Sequence, residues 1–302
     1  MRADARAAPD LSHSTGPAFI KDEAGENKGN AMVKRELKVR SGNVAVIEAG
    51  SGAPLVYLHG FADVHGVAAD FLPFHEGLAQ SHHVIAPAHP ACNGSDELGD
   101  GNSVEDFLFH YSEVIDALGL DRFTLVGHCV GGWLAAEYAV RHPERVEKLV
   151  LIGASGLFVP GSHIGDIFLN SNPDRGTDLS SLRRMLFASA DSPTGLRWYP
   201  DGKGDLEEEM RRYAMLRFGS AIGFKPPYFY NWPLVRRLGR ARMPSLVIWG
   251  ANDGMTPLAH GEAYAAKLGD GSALKIIADA GHAVHLEKPV ETLALVRPFL
   301  EV

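Results

Sequence analysis

Cysteine is scarce in this chain of 302 residues, which contains only Cys92 and Cys129. Two widely spaced cysteines do not supply a disulfide framework, and they lack the clustering of ligands that a structural zinc site needs. The sequence therefore predicts no metal site. Each cysteine must instead be either a small buried side chain or a reactive group.

Positive charge is also in short supply. The chain has 29 Lys and Arg residues against 37 Asp and Glu residues, which gives a formal net charge of −8. This balance provides no general attraction to the phosphates of a nucleic acid or to anionic lipid headgroups. We therefore expect a small-molecule substrate as partner, and neither a nucleic acid nor a membrane.

Long hydrophobic runs are missing as well. The apolar segments Lys148 to Gly153 and Ser245 to Gly250 are far shorter than the roughly 20 residues of a membrane-spanning helix. Residues 1–31 mix small and charged residues without the apolar stretch of a secretory signal. They are predicted to form a flexible tail, and a cytoplasmic location is the default expectation. The sequence leaves open whether the chain is a monomer or a homodimer.

The rest of the sequence alternates between predicted strands and helices. A predicted hairpin of two short strands, Arg35 to Arg40 and Asn43 to Glu48, comes first. Buried strands and amphipathic helices then follow one another. The predicted strands are Leu55 to His59, Val84 to Pro87, Phe123 to Gly127, Lys148 to Gly153, Ser245 to Gly250 and Leu274 to Ile277. The predicted helices are Ala68 to Gln80, Val104 to Leu118, Val130 to Arg141, Pro257 to Lys267 and Pro289 to Leu300. The fold class is therefore α/β, with a mainly parallel sheet covered on both faces.

The alternation stops between residues 156 and 242, a stretch rich in proline and aromatic residues. One interpretation is a small helical subdomain with its own aromatic core. The other is a cap whose underside lines an apolar pocket, and both descriptions can apply at once. The predicted organisation is a tail at 1–31, an α/β core at 32–155 and 243–302, and a cap at 156–242.

The most specific motif runs from Gly127 to Gly132 and reads Gly-His-Cys-Val-Gly-Gly. It lies between a predicted strand and a predicted helix, where a tight turn with flanking glycines can expose a nucleophile at the edge of a sheet. Cys129 stands where such turns usually carry serine. The alternative is a small buried cysteine in a glycine-rich turn.

Three further segments complete a resemblance to a known family. His59-Gly60-Phe61 follows a predicted strand, Trp249 to Asp253 follows a late strand, and Gly281-His282 precedes Glu287-Lys288-Pro289. With the turn at Cys129, these segments resemble the α/β-hydrolase superfamily over residues 33–302. The resemblance implies a mostly parallel eight-stranded sheet with an inserted helical cap and no cofactor. It is nearest to the esterase and carbon–carbon (meta-cleavage product) hydrolase branch, here with a cysteine nucleophile.

The resemblance also implies a role for individual residues. Cys129 would be the nucleophile, His282 the base that takes its proton, and Asp253 the acid that orients the histidine. The backbone N–H groups of Val130 and Phe61 would stabilise an oxyanion. Further residues are expected around the substrate pocket: His59, Gly60, His128, Trp198, Phe224, Tyr228 and Trp232.

One loop departs from the family pattern. Where relatives commonly have Asp-x-Pro-Gly-x-Gly-x-Ser, residues 88–95 read Ala-His-Pro-Ala-Cys-Asn-Gly-Ser. The departure is either plain structural variation or a sign that His89 and Cys92 shape a specialised pocket.

The expected function is a cofactor-independent hydrolase or acyl transferase with a Cys-His-Asp triad. Its substrate would be small and largely apolar or aromatic, with an ester, thioester, lactone or ketone-adjacent carbon–carbon bond. Two alternatives remain open: a lyase, cyclase or isomerase that uses His282 as a base, and a non-catalytic ligand-binding relative. The sequence also leaves open whether Cys129 replaces an original serine, by natural substitution or by engineering.

Overall fold

The structure is a computed structural model that describes residues 31–99, 101, 103–171, 178–201, 206–223, 228–269 and 271–301. Nearly all of the predicted tail, and Phe224, lie outside these residues. Within the described part of the chain, eight strands form one sheet in the order β1-β2-β4-β3-β5-β6-β7-β8. The strands are β1 (Val33–Val39), β2 (Gly42–Ala49), β3 (Ala53–Leu58), β4 (His82–Pro87), β5 (Phe123–His128), β6 (Val146–Ile152), β7 (Ser245–Gly250) and β8 (Ala273–Ile277).

The sheet is antiparallel at one edge and parallel elsewhere. β1 pairs with β2, and β2 with β4, in antiparallel register. The remaining neighbours, from β4 through β3, β5, β6 and β7 to β8, are parallel. The mostly parallel α/β sheet that the sequence predicts is therefore confirmed.

Helices follow most of the strands, close to the predicted positions. They are α1 (Pro73–Leu78), α2 (Val104–Ala117), α3 (Val130–Arg141), α4 (Ile167–Asn170), α5 (Ser180–Leu186), α6 (Pro193–Trp198), α7 (Leu206–Ile222), α8 (Leu234–Arg237), α9 (Leu258–Lys267), α10 (Val284–Glu287) and α11 (Pro289–Glu301). Helix α1 is shorter than predicted, because the chain before Pro73 forms a loop in which His65 N–H donates to the Ala68 carbonyl. Proline favours the first turn of a helix, so the helix begins there.

Alternate strand residues point to two separate hydrophobic layers, as the pleat of a strand requires. In β3, Val56 packs with the layer that contains α2, α3 and α9. Its neighbour Tyr57 packs with α1 and α11 on the opposite face. Helices thus cover both faces of the sheet, and the strands between them are buried.

The segment between β6 and β7 carries helices α4 to α8. We call residues 156–242 the insert. Its buried side chains, such as Leu186 and Phe218, belong to the same hydrophobic cluster as α3. The insert therefore shares a hydrophobic core with α3. In the ranges described, every helix falls short of the length and apolar character that a membrane crossing requires.

Candidate active site

Cys129 lies in a strained turn between β5 and α3. Its backbone has φ 55° and ψ −118°, a conformation that L-residues with a side chain rarely adopt. The turn is tight enough that a Cβ on Gly131 would lie 2.1 Å from the Leu58 carbonyl oxygen. Only glycine fits at that position, which explains the glycine in the motif. The side chain of Cys129 is itself fully buried.

Three loops that follow parallel strands bring the predicted catalytic residues to one edge of the sheet. Cys129 follows β5, Asp253 follows β7 and His282 follows β8. The carboxyl ends of parallel strands share an edge, which is where sites form in α/β sheets. The Cys129 N–H also donates to the carbonyl of Ile152, at 3.0 Å, and so fixes the turn to the end of β6.

Asp253 and His282 form a fully buried hydrogen-bonded pair. Nδ1 of His282 lies 2.9 Å from Oδ2 and 3.1 Å from Oδ1 of Asp253. The carboxylate also accepts the N–H groups of Met255 and Thr256, at 2.9 and 2.8 Å, and the Thr256 hydroxyl at 2.9 Å. These donors fix the carboxylate, and the carboxylate in turn places a proton on Nδ1 of the ring.

The second ring nitrogen of His282, Nε2, is the one that is free to exchange a proton with another group. It is buried and has no hydrogen-bond partner among the described residues. Burial alone would lower the pKa of His282, but interactions with Asp253 and Cys129 outweigh it and raise the pKa to about 10. The imidazolium form of His282 is thus favoured at neutral pH.

The predicted oxyanion donors belong to two segments that meet at Cys129. Val130 is the first residue of α3, where an N–H has no partner inside the helix. The chain at Gly60 passes so close that a Cβ there would lie 2.7 Å from Cβ of Cys129. Phe61, the next residue, is buried and lines the neighbouring pocket. We call residues 59–66 the oxyanion loop.

A pocket with about 750 Å³ of empty space, counting its open mouth, lies between the oxyanion loop and the insert. Its lining includes the apolar side chains of Phe61, Ile167, Leu182, Trp198, Met215 and Leu216, and the charged side chains of Glu209, Arg211 and Arg212. Of the residues expected around the substrate pocket, Trp198 lines it, and Phe61, expected as an oxyanion donor, lines it too. Tyr199 also lines it, with its hydroxyl 3.5 Å from the Phe61 carbonyl oxygen.

Other residues expected around the pocket lie elsewhere. His59 belongs to a buried cluster in which its Nδ1 donates to Gly60 O, at 3.1 Å, and its Nε2 accepts the N–H of His89, at 2.9 Å. Burial lowers the pKa of His59 well below its usual value. Because both ring nitrogens are occupied, His59 is a neutral structural group that supports the oxyanion loop. His89 donates back to the His59 carbonyl at 2.7 Å.

Two aromatic residues of the insert that are expected around the pocket, Tyr228 and Trp232, have other neighbours. Tyr228 is half-buried, with its hydroxyl 3.3 Å from Asp166 and its ring against Phe229. Trp232 is 51 % exposed and packs against Phe158. Neither is among the residues that line the pocket. Cys92 of the departing loop is buried, with Sγ 3.4 Å from Sδ of Met215.

Two residues that support the site were not found from the sequence. Thr256 holds Asp253 through both its N–H and its hydroxyl. Glu287 accepts the N–H of Gly281 at 2.7 Å, and also the N–H of Ala188 and the hydroxyl of Ser192 from the insert. Glu287 therefore ties the loop of His282 to the insert. The only sequence signal was its place in the motif that follows His282.

A family model described as alpha/beta hydrolase fold matches residues 53–289. The chain belongs to this family. The alpha/beta hydrolase fold accounts for the sheet, the turn at Cys129 and the loops that meet beside it.

Similar alpha/beta hydrolases include two curated enzymes. One is 2-hydroxymuconate semialdehyde hydrolase of Pseudomonas sp. (strain CF600), 28% identical over 89% of this chain and 94% of the relative. The other is 2-hydroxy-6-oxo-6-phenylhexa-2,4-dienoate hydrolase of Comamonas testosteroni, 28% identical over 84% of this chain and 89% of the relative. A solved meta-cleavage product hydrolase from Pseudomonas fluorescens IP01 superposes with a TM-score of 0.71 at 20% identity, covering 88% of this chain and 97% of that one. This structural likeness shows the fold alone.

Proposed function

We propose that this protein is a cofactor-independent hydrolase that forms a covalent acyl intermediate on Cys129. The observation that carries the proposal is the placement of Cys129, at positive φ on the N-terminus of α3, beside the buried Asp253–His282 pair. A nucleophile, a base and an orienting acid in this chain order are what acyl transfer requires.

The proposed chemistry starts from an imidazolium on His282 and a thiolate on Cys129. The Cys129 thiolate attacks the carbonyl carbon of the substrate, and the oxygen becomes an oxyanion that Val130 and Phe61 stabilise through their N–H groups. When the intermediate collapses, imidazolium His282 gives its proton to the leaving group and an acyl thioester remains. Neutral His282 then takes a proton from water, whose oxygen attacks the thioester. The acid product leaves, and the thiolate and imidazolium are restored.

A thiolate suits this position for a further reason. A helix N-terminus and an adjacent imidazolium both stabilise a negative charge on sulfur. Cys129 has both, since it is the residue before α3 and interacts with His282. The intermediate is a thioester, which an amine or alcohol can intercept as well as water. Acyl transfer is thus the second outcome of the same site.

The substrate class follows from the pocket and from the relatives. The apolar lining fits an aliphatic or aromatic group, and the guanidinium groups of Arg211 and Arg212 fit a polar or anionic end. Two relatives are named as hydrolases of 6-oxo-dienoate or semialdehyde compounds. We propose that the scissile bond is an ester, a thioester, a lactone or a carbon–carbon bond next to a ketone.

Covalent trapping tests the proposal. Incubation with p-nitrophenyl esters and acyl thioesters of increasing chain length, followed by mass spectrometry of the intact protein, is expected to show one acyl group that maps to Cys129. Cys129→Ala should lose the adduct and at least a thousandfold in turnover, roughly the range seen when a catalytic nucleophile is removed. Undiminished turnover in Cys129→Ala would sink the proposal.

Two comparisons refine that result. Cys92→Ala is the matched control, because it removes the other thiol and should keep both the adduct and the turnover. Cys129→Ser tests the chemistry of the nucleophile: retained activity indicates that serine chemistry suffices, and lost activity indicates a requirement for a thiol. A 2-hydroxy-6-oxo-dienoate substrate assayed in parallel distinguishes carbon–carbon cleavage from ester cleavage.

A further inference from the structure

A second buried acid–histidine cluster lies next to the turn of Cys129. At its centre is Asp63, whose oxygens lie 3.1 Å from Nε2 of His285, 3.3 Å from Nε2 of His75 and 3.4 Å from Nδ1 of His128. All four side chains are fully buried. We call these four residues and Tyr57 the Asp63 cluster.

Three of the four segments of the proposed active site, all but that of Asp253, supply a member of this cluster. Asp63 is two residues after Phe61 in the oxyanion loop, and His128 is the residue before Cys129. His285 is three residues after His282, at the start of α10. The cluster is therefore a single point at which the oxyanion loop, the nucleophile turn and the histidine loop meet.

Both oxygens of Asp63 are occupied by donors. Oδ1 accepts the N–H of Val64 at 2.8 Å, and Oδ2 accepts the Tyr57 hydroxyl at 2.5 Å and the N–H of Gly60 at 3.4 Å. Burial would raise the pKa of Asp63, but the surrounding histidines outweigh it and hold the pKa well below its usual value. Asp63 is therefore a carboxylate, and an amide with one oxygen cannot accept all of these donors.

His128 carries the connection on to the base. Its Nε2–H donates to the main-chain oxygen of His282 at 3.2 Å, and its ring lies 4.9 Å from the His282 ring and 4.4 Å from the His285 ring, centroid to centroid. Since the ring is fully enclosed, it cannot turn without moving either Asp63 or the backbone of His282. Asp63 is thus linked to the base by packing: it lies against Nδ1 of His128 at 3.4 Å, without a hydrogen bond, and the same ring is held on the main chain of His282.

We propose that Asp63 is a positioning residue that holds the oxyanion loop, Cys129 and His282 in their reactive arrangement. This inference rests on the proposed function for its role in turnover, and on the contacts alone for its effect on His282. Asp63 touches neither the pocket nor the sulfur, so its influence passes through His128 and Gly60.

Asp63→Asn tests the inference against a matched control, Glu137→Gln. Glu137 is also a fully buried carboxylate, but it binds Trp133, Arg141 and Asn231 farther along α3. Asp63→Asn is expected to lower kcat about tenfold with KM changed less than twofold. Glu137→Gln should destabilise the protein to a similar extent but leave kcat unchanged.

A second readout does not depend on turnover. The ring signals of His282, assigned with His282→Gln and followed by NMR against pH, should titrate at a lower pH in Asp63→Asn, because a nearby negative charge and a fixed geometry are both lost. Glu137→Gln should leave this titration unchanged. If turnover is absent on every substrate but the titration moves, the proposed function fails and the positioning role stands.

Three results would overturn the inference. The first is a wild-type kcat and His282 titration in Asp63→Asn, and the second is an equal change in Glu137→Gln. The third is a divalent metal, found by elemental analysis at one equivalent per chain and lost in Asp63→Asn. The ligand atoms of Asp63, His128 and His285 lie within 4.8 Å of one another, and a metal there would make them ligands rather than a packed cluster that positions the site. If Asp63→Asn does not fold, Tyr57→Phe, which removes one donor, should show a smaller change of the same sign.

Discussion

Two buried aspartate–histidine pairs flank the turn of Cys129, and their histidines differ in protonation state. We call Asp253 and His282 the front pair and Asp63 and His128 the back pair. In the front pair Nδ1 and Oδ2 are 2.9 Å apart and the free Nε2 faces the site of Cys129. In the back pair the closest nitrogen and oxygen are 3.4 Å apart, and the other nitrogen donates to a backbone carbonyl.

The difference shows how surroundings decide the charge of a histidine. Both rings are fully buried, which disfavours the cation in each case. Interactions with Asp253 and Cys129 raise the pKa of His282 to about 10. Burial and the neighbouring His285 lower the pKa of His128 to about 3, despite Asp63. The His282 ring is therefore the one that can carry a proton at neutral pH, as the proposed mechanism requires, whereas the His128 ring stays neutral.

Asp253→Asn should produce the largest loss of kcat, and it should disrupt only the front pair. The amide no longer stabilises the imidazolium or enforces the tautomer, so kcat is expected to fall roughly 10³- to 10⁴-fold. Steady-state kinetics with the ester substrate, and circular dichroism as the check on folding, measure this. A loss no greater than that of Asp63→Asn would show that the two pairs do not have different roles.

The second prediction concerns how activity and stability depend on pH through the front pair. Because the pKa of His282 is raised, its imidazolium contributes stability fully below about pH 6.5, the ordinary pKa of histidine. That contribution is lost as pH rises through about 10. Both kcat/KM and the urea midpoint of unfolding should fall in that range, activity by roughly tenfold per pH unit once past the pKa. Activity that rises through pH 10 would instead assign His282 as a neutral base acting on a thiol.

Thr256→Val should weaken the front pair by a moderate amount. The hydroxyl donates to Asp253 at 2.9 Å and lies 3.1 Å from the Gly153 carbonyl oxygen. Loss of one hydrogen bond to a charged group costs about 1.5 kcal/mol, which corresponds to roughly a tenfold lower kcat if it is felt in the transition state. Thr292→Val removes a buried hydroxyl bonded to the Lys288 carbonyl in α11, and should leave kcat unchanged. Equal losses in both variants would show a general effect on stability.

Cys92→Ala should have the smallest effect and confirm that one thiol alone belongs to the front site. Burial raises the pKa of the Cys92 thiol, which keeps it protonated and unreactive. We expect kcat within twofold of wild type and about 1 kcal/mol less stability, from the cavity left beside Met215. Urea unfolding and iodoacetamide labelling measure these. Labelling of Cys92 in the native protein would contradict the assignment.

The sequence predicted the parts of this architecture that depend on local patterns. The turn at Cys129 could be found because its three glycines, Gly127, Gly131 and Gly132, lie within six consecutive residues. The parallel sheet could be found because each buried strand is a short apolar run. Asp253 and His282 were proposed because their motifs follow strands that end at one edge, an arrangement that resemblance to a family made recognisable.

The contacts of Asp63 could not be found in this way. Its partners are at positions 75, 128 and 285, and no short motif connects residues so far apart in the chain. The sequence places His128 among the residues around the pocket, as a group that packs beneath the site rather than one that reacts. Successive side chains at the end of a strand point in opposite directions, however, and the ring lies against Asp63 instead. Long-range packing, which a single sequence does not display, decides such cases.

The connection from β6 to β7 has a consequence for engineering. The two strands are neighbours, with Leu149 paired to Ser245, so the chain between them can vary in length while the sheet keeps its register. If the pocket under the insert binds the substrate as proposed, the insert is the segment to exchange in order to change the substrate range. Any replacement would have to present two donors to Glu287, as the Ala188 N–H and the Ser192 hydroxyl do now. A library built without that constraint would alter the pocket. It would also remove the contacts through which Glu287 ties the loop of His282 to the insert.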